Sequence, residues 1–302
     1  MQRPAKPFTP VRFRLQPPLN IMKIGIIGYG FVGKALANGL RDDVEIFKVD
    51  PKLNSKIEDL AEFNPDAVFI CVPTPMNKNF SQDITIVKSV IKELMNLNLN
   101  SLIVLKSTVL PNHIKEIESL VPKFVFNPEF LREKHADQDF IDSKLIIFGG
   151  NIKSSKVLAK IYQDFTKCAC NDYVFTDAIA AAIIKYSINS FLATKVTFFN
   201  ELHSLFIQSG SKESWNEFIS FLAKDPRIGN SHMEVPGHDG RFGYGGACLP
   251  KDSNAFYEYS EETGSPLNIL KNVITVNNKT RASYNTKTKR ENEQNINFKG
   301  VK

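Results

Sequence analysis

Nowhere in its 302 residues does this sequence hold an apolar run near the ~18–20 residues that a membrane-spanning helix needs, so a helical membrane protein is excluded. Its four cysteines (Cys71, Cys168, Cys170, Cys248) follow no zinc-ligand spacing and its five histidines are scattered, so no metal site is expected. A disulfide framework is equally missing. The thiols read as reduced, in a cytoplasmic compartment, and one of them is available for chemistry. Residues 1–21 lack the apolar segment of a secretory signal and carry five prolines ahead of a second methionine, Met22. They read as a disordered extension or an over-called start and are left out of the fold.

Acidic residues are also missing where basic ones gather. Residues 1–21 carry four basic side chains and no acidic one, and 279–302 carry seven basic against two acidic. Of the net charge of +6, both excesses sit at the ends, and 22–278 are net negative by three. A body of that sign argues against nucleic acid as a partner.

What is present changes abruptly at Lys23. Short continuous apolar runs at 24–27, 44–49, 67–72, 102–105, 124–126 and 145–148 alternate with amphipathic stretches such as 31–40 and 84–97. Uninterrupted apolar strands between helices predict an α/β domain, a doubly wound (Rossmann-like) parallel sheet buried on both faces, over 22–176. Asp177 then reads as the N-cap of a long helix through Ala180, Ile184, Ile188, Leu192, Val196 and Phe199. Further helices are expected at 212–223 and on either side of Gly264. The second domain, 177–282, is therefore helical, and 283–302 reads as a polar, disordered tail.

The first strand runs into Gly28-Tyr29-Gly30-Phe31-Val32-Gly33, a GxGxxG at the opening of a helix. Gly28 suits a tight turn, Gly30 lets the backbone approach a pyrophosphate, and Gly33 allows close helix–sheet packing. Asp50 ends the second strand, where a carboxylate accepts from the ribose hydroxyls and repels a 2′-phosphate. That favours NAD over NADP.

A second signal is Phe242-Gly243-Tyr244-Gly245-Gly246-Ala247-Cys248-Leu249-Pro250-Lys251-Asp252. The glycines let the chain pass close to a ligand. Pro250 suits the first turn of a helix, which puts Cys248 near its N-cap. There the helix dipole and Lys251 are expected to lower the thiol pKa. Asp252 falls on the same helical face, placed to hold a water or take a proton. A buried structural cysteine is the alternative reading.

These motifs, together with CVPTP from Cys71, KSTV from Lys106, NPEFLRE from Asn127 and the helix Lys185–Asn200, stand in an order that resembles the UDP-glucose/GDP-mannose dehydrogenases over residues 22–280. The resemblance implies a nucleophile at Cys248, assisted by Asp252. Lys185 and Asn189 would hold the substrate and stabilise oxyanions, and their i, i+4 spacing gives them one helical face. Glu129, Phe130 and Leu131 would lie over the sugar, with Glu133 near the nicotinamide and aiding thioester hydrolysis as a catalytic residue. Thr74 and Thr108 would contact NAD or a catalytic water, and Lys251 the cofactor. Tyr244 and Gly245 would border the substrate, and Arg227 would reach a partner subunit's substrate in a homodimer.

The implied reaction is a two-step, four-electron oxidation of a nucleotide sugar through a cysteine thiohemiacetal and thioester, foremost UDP-glucose to UDP-glucuronate. GDP-mannose and UDP-N-acetylmannosamine are the alternative substrates. Two departures stand out. Lys134 and His135 follow Glu133 where relatives have a glycine, and the second α/β domain with which relatives grip the nucleotide has no counterpart after Asn277. A separate UDP-binding chain would supply it, or the homodimer would compensate, or the chain is a non-catalytic NAD-binding dimerisation partner. Short β-hydroxyacid dehydrogenases share the GxGxxG and the long helix but lack the cysteine motif.

Overall fold

Seven apolar runs pair into one sheet, and the order of pairing decides where a ligand can lie. The computed structural model describes residues 21–298, so the expectation for 1–20 lies outside the described residues. In chain order the elements are β1 (Met22–Ile27), α1 (Phe31–Gly39), β2 (Val44–Val49), α2 (Leu60–Phe63), β3 (Ala67–Ile70), α3 (Thr85–Asn96), β4 (Leu102–Leu105), α4 (Pro111–Leu120) and β5 (Phe124–Phe126). They continue as α5 (Ala136–Ile141), β6 (Ile146–Gly150), α6 (Ile152–Phe165), β7 (Tyr173–Thr176), α7 (Ala178–Gln208), α8 (Trp215–Leu222), α9 (Cys248–Glu262), α10 (Asn268–Ala282) and α11 (Lys289–Glu293).

The sheet order is β2-β1-β3-β4-β5-β6-β7. The first five strands are parallel, with Ile24 opposite Ile46 and Ala67, and Ala67 opposite Leu102. All four residues of β3 and of β4 are buried, the reason those runs are apolar without alternation. The strand order reverses between β1 and β3, and in such sheets the crevice at the strands' carboxyl ends receives the ligand.

An all-parallel sheet was expected, and here the structure differs. β6 pairs antiparallel to β5, with Phe126 opposite Gly149, and β7 then runs parallel to β6. An apolar run has the same composition in either direction, so the reversal left no mark in the sequence. β7, an edge strand with Val174 and Phe175 exposed, carried no alternation to announce it.

One core layer includes Leu60, Val68, Val90, Leu105 and Phe126, and the other Ile24, Leu36, Phe69, Val104 and Phe148. Helix α7 joins the first through Ala178, Ala181 and Ala182. It comes close because Gly149 has no side chain: a Cβ there would lie 2.5 Å from that of Ala181. Asp177 caps the helix as expected, accepting from the Ala180 N–H at 2.8 Å. α8 begins with a capping box between Ser214 and Glu217. No helix among the described residues is long and apolar enough to cross a membrane.

The disordered tail expected over 283–302 is not what the described part of it shows. After α10 the chain turns, forms α11 behind a Thr288–Glu291 capping box, and buries Glu291 and Ile296 completely. Composition misled because the stabilising contacts are long-range: Arg241 bonds the Thr286 carbonyl at 2.6 Å, and Arg281 pairs with Glu291.

Candidate active site

The loop after β1 has the shape the GxGxxG pattern requires. Gly28 has φ +89°, and a Cβ on it would strike the Cys71 backbone at 2.8 Å. On Gly33 a Cβ would meet the Gly28 carbonyl oxygen at 2.2 Å, so α1 can start this close to the turn with glycine there. Gly30 is different, because nothing lies within 4 Å of where its Cβ would be. That open side, at the N-terminus of α1, is the space a pyrophosphate needs. Asp50 ends β2 and accepts from the Tyr29 N–H at 2.7 Å and the Lys52 N–H at 2.9 Å, which fixes its carboxylate beside the loop. These residues fit a dinucleotide.

The second group forms where α7, α9 and the Asn127–Glu133 segment meet. Cys248 is the first residue of α9, with Pro250 in its first turn as expected. One turn on, Asp252 is 1% exposed; it accepts from Asn189 Nδ2 at 2.6 Å and pairs with the Lys251 ammonium. One turn before Asn189 on α7, Lys185 Nζ donates to the Glu129 carbonyl at 2.6 Å and sits 3.3 Å from its carboxylate. The same ammonium lies 5.1 Å from the centre of the Phe130 ring, and Glu129 also accepts from the Leu131 N–H at 2.6 Å. Two cation–carboxylate pairs, all four groups buried, thus flank one thiol.

The surrounding charges and burial act on two of these groups in particular. Burial alone would lower the Lys185 pKa, but the Glu129, Asp252 and Cys248 charges outweigh it and raise the value. For Cys248 the sequence expectation was of a lowered pKa, and the structure reverses it. Burial, then Glu129 and Asp252, push the thiol up to about 11, against the opposing pull of Lys185 and Lys251. The helix N-terminus and one lysine do not offset removal from water. Cys71 is likewise pushed up to about 12 by burial, which makes it a packing residue.

Thr74 and Thr108 come together after β3 and β4, where the Thr74 hydroxyl donates to the Thr108 carbonyl at 3.0 Å. The residue that organises them was not foreseen. Buried Gln82 donates to the same carbonyl at 2.7 Å and to the Tyr186 hydroxyl at 2.9 Å, and accepts from the Leu110 N–H at 3.0 Å. No motif surrounds it. Also unforeseen is the support of Asn127, whose side chain accepts from Lys106 Nζ at 2.9 Å and the Tyr162 hydroxyl at 2.6 Å. Lys106 and Asn127 stood inside recognised motifs without a role.

Four further expected residues have surroundings of their own. Arg227 is exposed and bound to its neighbour Asp225 at 2.6 Å. Tyr244 is buried, its ring against Ala193 and Val273. Gly245 faces Arg281, whose Nη2 would lie 2.0 Å from a Cβ there, so its lack of a side chain is explained by packing. Glu133 follows β5 and lies 2.9 Å from the Arg290 guanidinium of α11, on the side of the dinucleotide crevice.

Fold and loop together define a doubly wound dinucleotide-binding protein with a buried thiol centre on its helical side. The chain belongs to the UDP-glucose/GDP-mannose dehydrogenase family: residues 52–166 match the family's NAD-binding domain and 179–279 its central domain. NAD is accordingly the dinucleotide that the first group of residues fits. The UDP-glucose 6-dehydrogenase of Rickettsia bellii (strain RML369-C) is 36% identical over 222 residues, covering 71% of this chain and 49% of the relative. The chain spans about half the length of such relatives. The structure of a UDP-glucose dehydrogenase from the hyperthermophilic archaeon Pyrobaculum islandicum superposes with TM-score 0.73 at 26% identity, over 88% of this chain and 70% of that one. Mycobacterium tuberculosis 3-hydroxyisobutyrate dehydrogenase shares the fold alone, with TM-score 0.66 at 15% identity over 92% of this chain and 97% of its own.

Proposed function

We propose that the chain oxidises the primary alcohol of a nucleotide sugar to a carboxylate in two NAD-dependent steps, with UDP-glucose giving UDP-glucuronate as the favoured case. The observation that carries this reading is Cys248 at the start of α9, flanked by the Lys185–Glu129 and Lys251–Asp252 pairs. Bound NAD supplies a hydride acceptor in each of the two oxidations. The remaining work falls to this chain's residues. An ammonium has three N–H donors, so Lys185 retains one for substrate after its two contacts with Glu129.

Cys248 stays protonated until a base takes its proton, and Asp252, one turn along the same helix, is the carboxylate placed to do so. The thiolate adds to the aldehyde carbon, and the resulting oxyanion is met by Lys185 and the free N–H of Asn189. The second oxidation leaves a thioester on Cys248. Water, held by Asp252 and Thr108, cleaves it, releasing the acid and restoring the thiol. An aldehyde has no leaving group, so without covalent capture the second oxidation would wait on hydration.

The test is to count NADH formed per UDP-glucose consumed. Two per sugar supports the reading. No NADH from protein that binds NAD would favour GDP-mannose or UDP-N-acetylmannosamine, tried next, or a nucleotide-gripping domain supplied by another chain. Acid formation by a Cys248→Ala variant would overturn the covalent mechanism.

A further inference from the structure

The segment after α10 runs along the mouth of the dinucleotide crevice, touching the segments that follow β1, β3 and β5. Arg290 places its guanidinium 5.6 Å from the ring of Phe31, the first residue of α1 after β1. Its Nε lies 2.9 Å from the carboxylate of Glu133, in the segment following β5. The Gln294 carbonyl accepts from the N–H of Met76, in the loop after β3, at 3.1 Å. Glu293 reaches toward the loop after β2: its carboxyl is held below the usual range chiefly by Arg290, with Lys289 and Lys52 adding to the effect.

The segment is not a loosely held strap. Glu291 and Ile296 are fully buried, and withdrawing them would strand the Arg281 guanidinium, itself 1% exposed, with Asp239 as its remaining carboxylate. It is a fixed wall of the crevice, and Arg290 is its charged side chain on the α1 side. Lys34 and Lys48 are both held against the Tyr29 ring, at 5.9 and 4.8 Å.

We propose that Arg290 is a cofactor-binding residue, its guanidinium meeting the NAD pyrophosphate above the open side of Gly30. A planar fork of N–H donors suits paired phosphate oxygens, and the N-terminus of α1 already draws negative charge to the same place. Glu133, on Nε at 2.9 Å, and Glu293, on Nη1 at 2.7 Å, hold the guanidinium in position and leave its Nη2 edge for phosphate. The inference rests on the family's dinucleotide and not on the identity of the sugar.

Calorimetric titration of the full chain with NAD, ADP-ribose and adenosine tests it. Wild-type binding of NAD checks the cofactor itself, apart from Arg290. For Arg290→Gln, NAD and ADP-ribose are expected to weaken about tenfold, the value of a charge-assisted contact, while adenosine, which has no phosphate, is unchanged. Arg290→Lys should fall between the two, because it keeps the charge and loses the fork. Arg290 is one-third exposed, so the variant should fold. Unchanged NAD affinity in Arg290→Gln overturns the assignment, and so does an equal loss for adenosine. Tighter NAD binding also overturns it and would mean that the segment excludes the cofactor.

Discussion

The Arg281 guanidinium and the Glu291 carboxylate meet at 2.8 Å with neither side chain more than 1% exposed. The pair ties α10 to α11, and the same carboxylate accepts from the Gly246 N–H, two residues before Cys248. It therefore anchors the terminal segment and the glycine loop of the thiol centre at one point.

Truncating one partner should show this. Glu291→Ala leaves a buried guanidinium with Asp239 alone, and is expected to cost about 3–5 kcal/mol of unfolding free energy in a denaturant titration. Burial raises the Glu291 pKa, but the Thr288 N–H, Arg281 and the Gly246 N–H bring it below its ordinary value of 4.5. A carboxylate with a depressed folded pKa stabilises at neutral pH, and that contribution is lost as pH falls through the folded value. The gap between wild type and Glu291→Gln should thus narrow below the ordinary carboxylate range. A gap that is constant into acid would contradict the charged pair.

Gly30 and Gly33 separate binding from folding. Gly30 has φ −76° and open space beside it, so Gly30→Ala should change stability by less than about 0.5 kcal/mol while weakening NAD. Gly33→Ala forces a Cβ onto the Gly28 carbonyl and should cost about 1–3 kcal/mol. Thermal melts with and without NAD distinguish the two. Equal melting temperatures for both variants would mean that the loop is not held as described.

Much of this was legible because it is local. The turn at Gly28–Gly33, the strand runs, the Asp177 cap and the start of α9 near Cys248 each depend on a few adjacent residues. The cluster of Lys185, Asn189, Glu129, Asp252 and Cys248 was legible through resemblance, since no spacing rule unites residues from three segments. Gln82, the Arg281–Glu291 pair and the packing of 284–298 were not, because each is defined by partners far along the chain. The Cys248 pKa was misjudged for a related reason: a dipole and a lysine are visible in sequence, whereas the depth of burial is not.

That raised pKa gives a direct measurement. With the thiol at about 11, alkylation by iodoacetamide should climb roughly tenfold per pH unit through the neutral range without a plateau. Glu129→Gln removes a charge that disfavours thiolate and releases Lys185, so it should alkylate faster at any given pH. A Cys71→Ala, Cys168→Ala, Cys170→Ala background assigns the label to Cys248. A plateau below about pH 8 would show an activated thiolate instead.

The long helix leaves a prediction about assembly. Phe191, Phe198 and Leu205 on α7 are 68%, 57% and 64% exposed and stand seven residues apart, which aligns them on one face of a helix. Ile269 at the start of α10, 76% exposed, lines one groove with Phe191. A stripe of large apolar side chains on one face is costly in water unless another surface covers it. A homodimer that packs α7 against α7 would do so. Light scattering at micromolar concentration is expected to give twice the chain mass. Phe198→Asp with Leu205→Asp should give the single mass at unchanged helix content, since neither side chain supports the chain's own core. A monomeric wild type would remove the dimer, and with it the reason for expecting Arg227 in a partner's site.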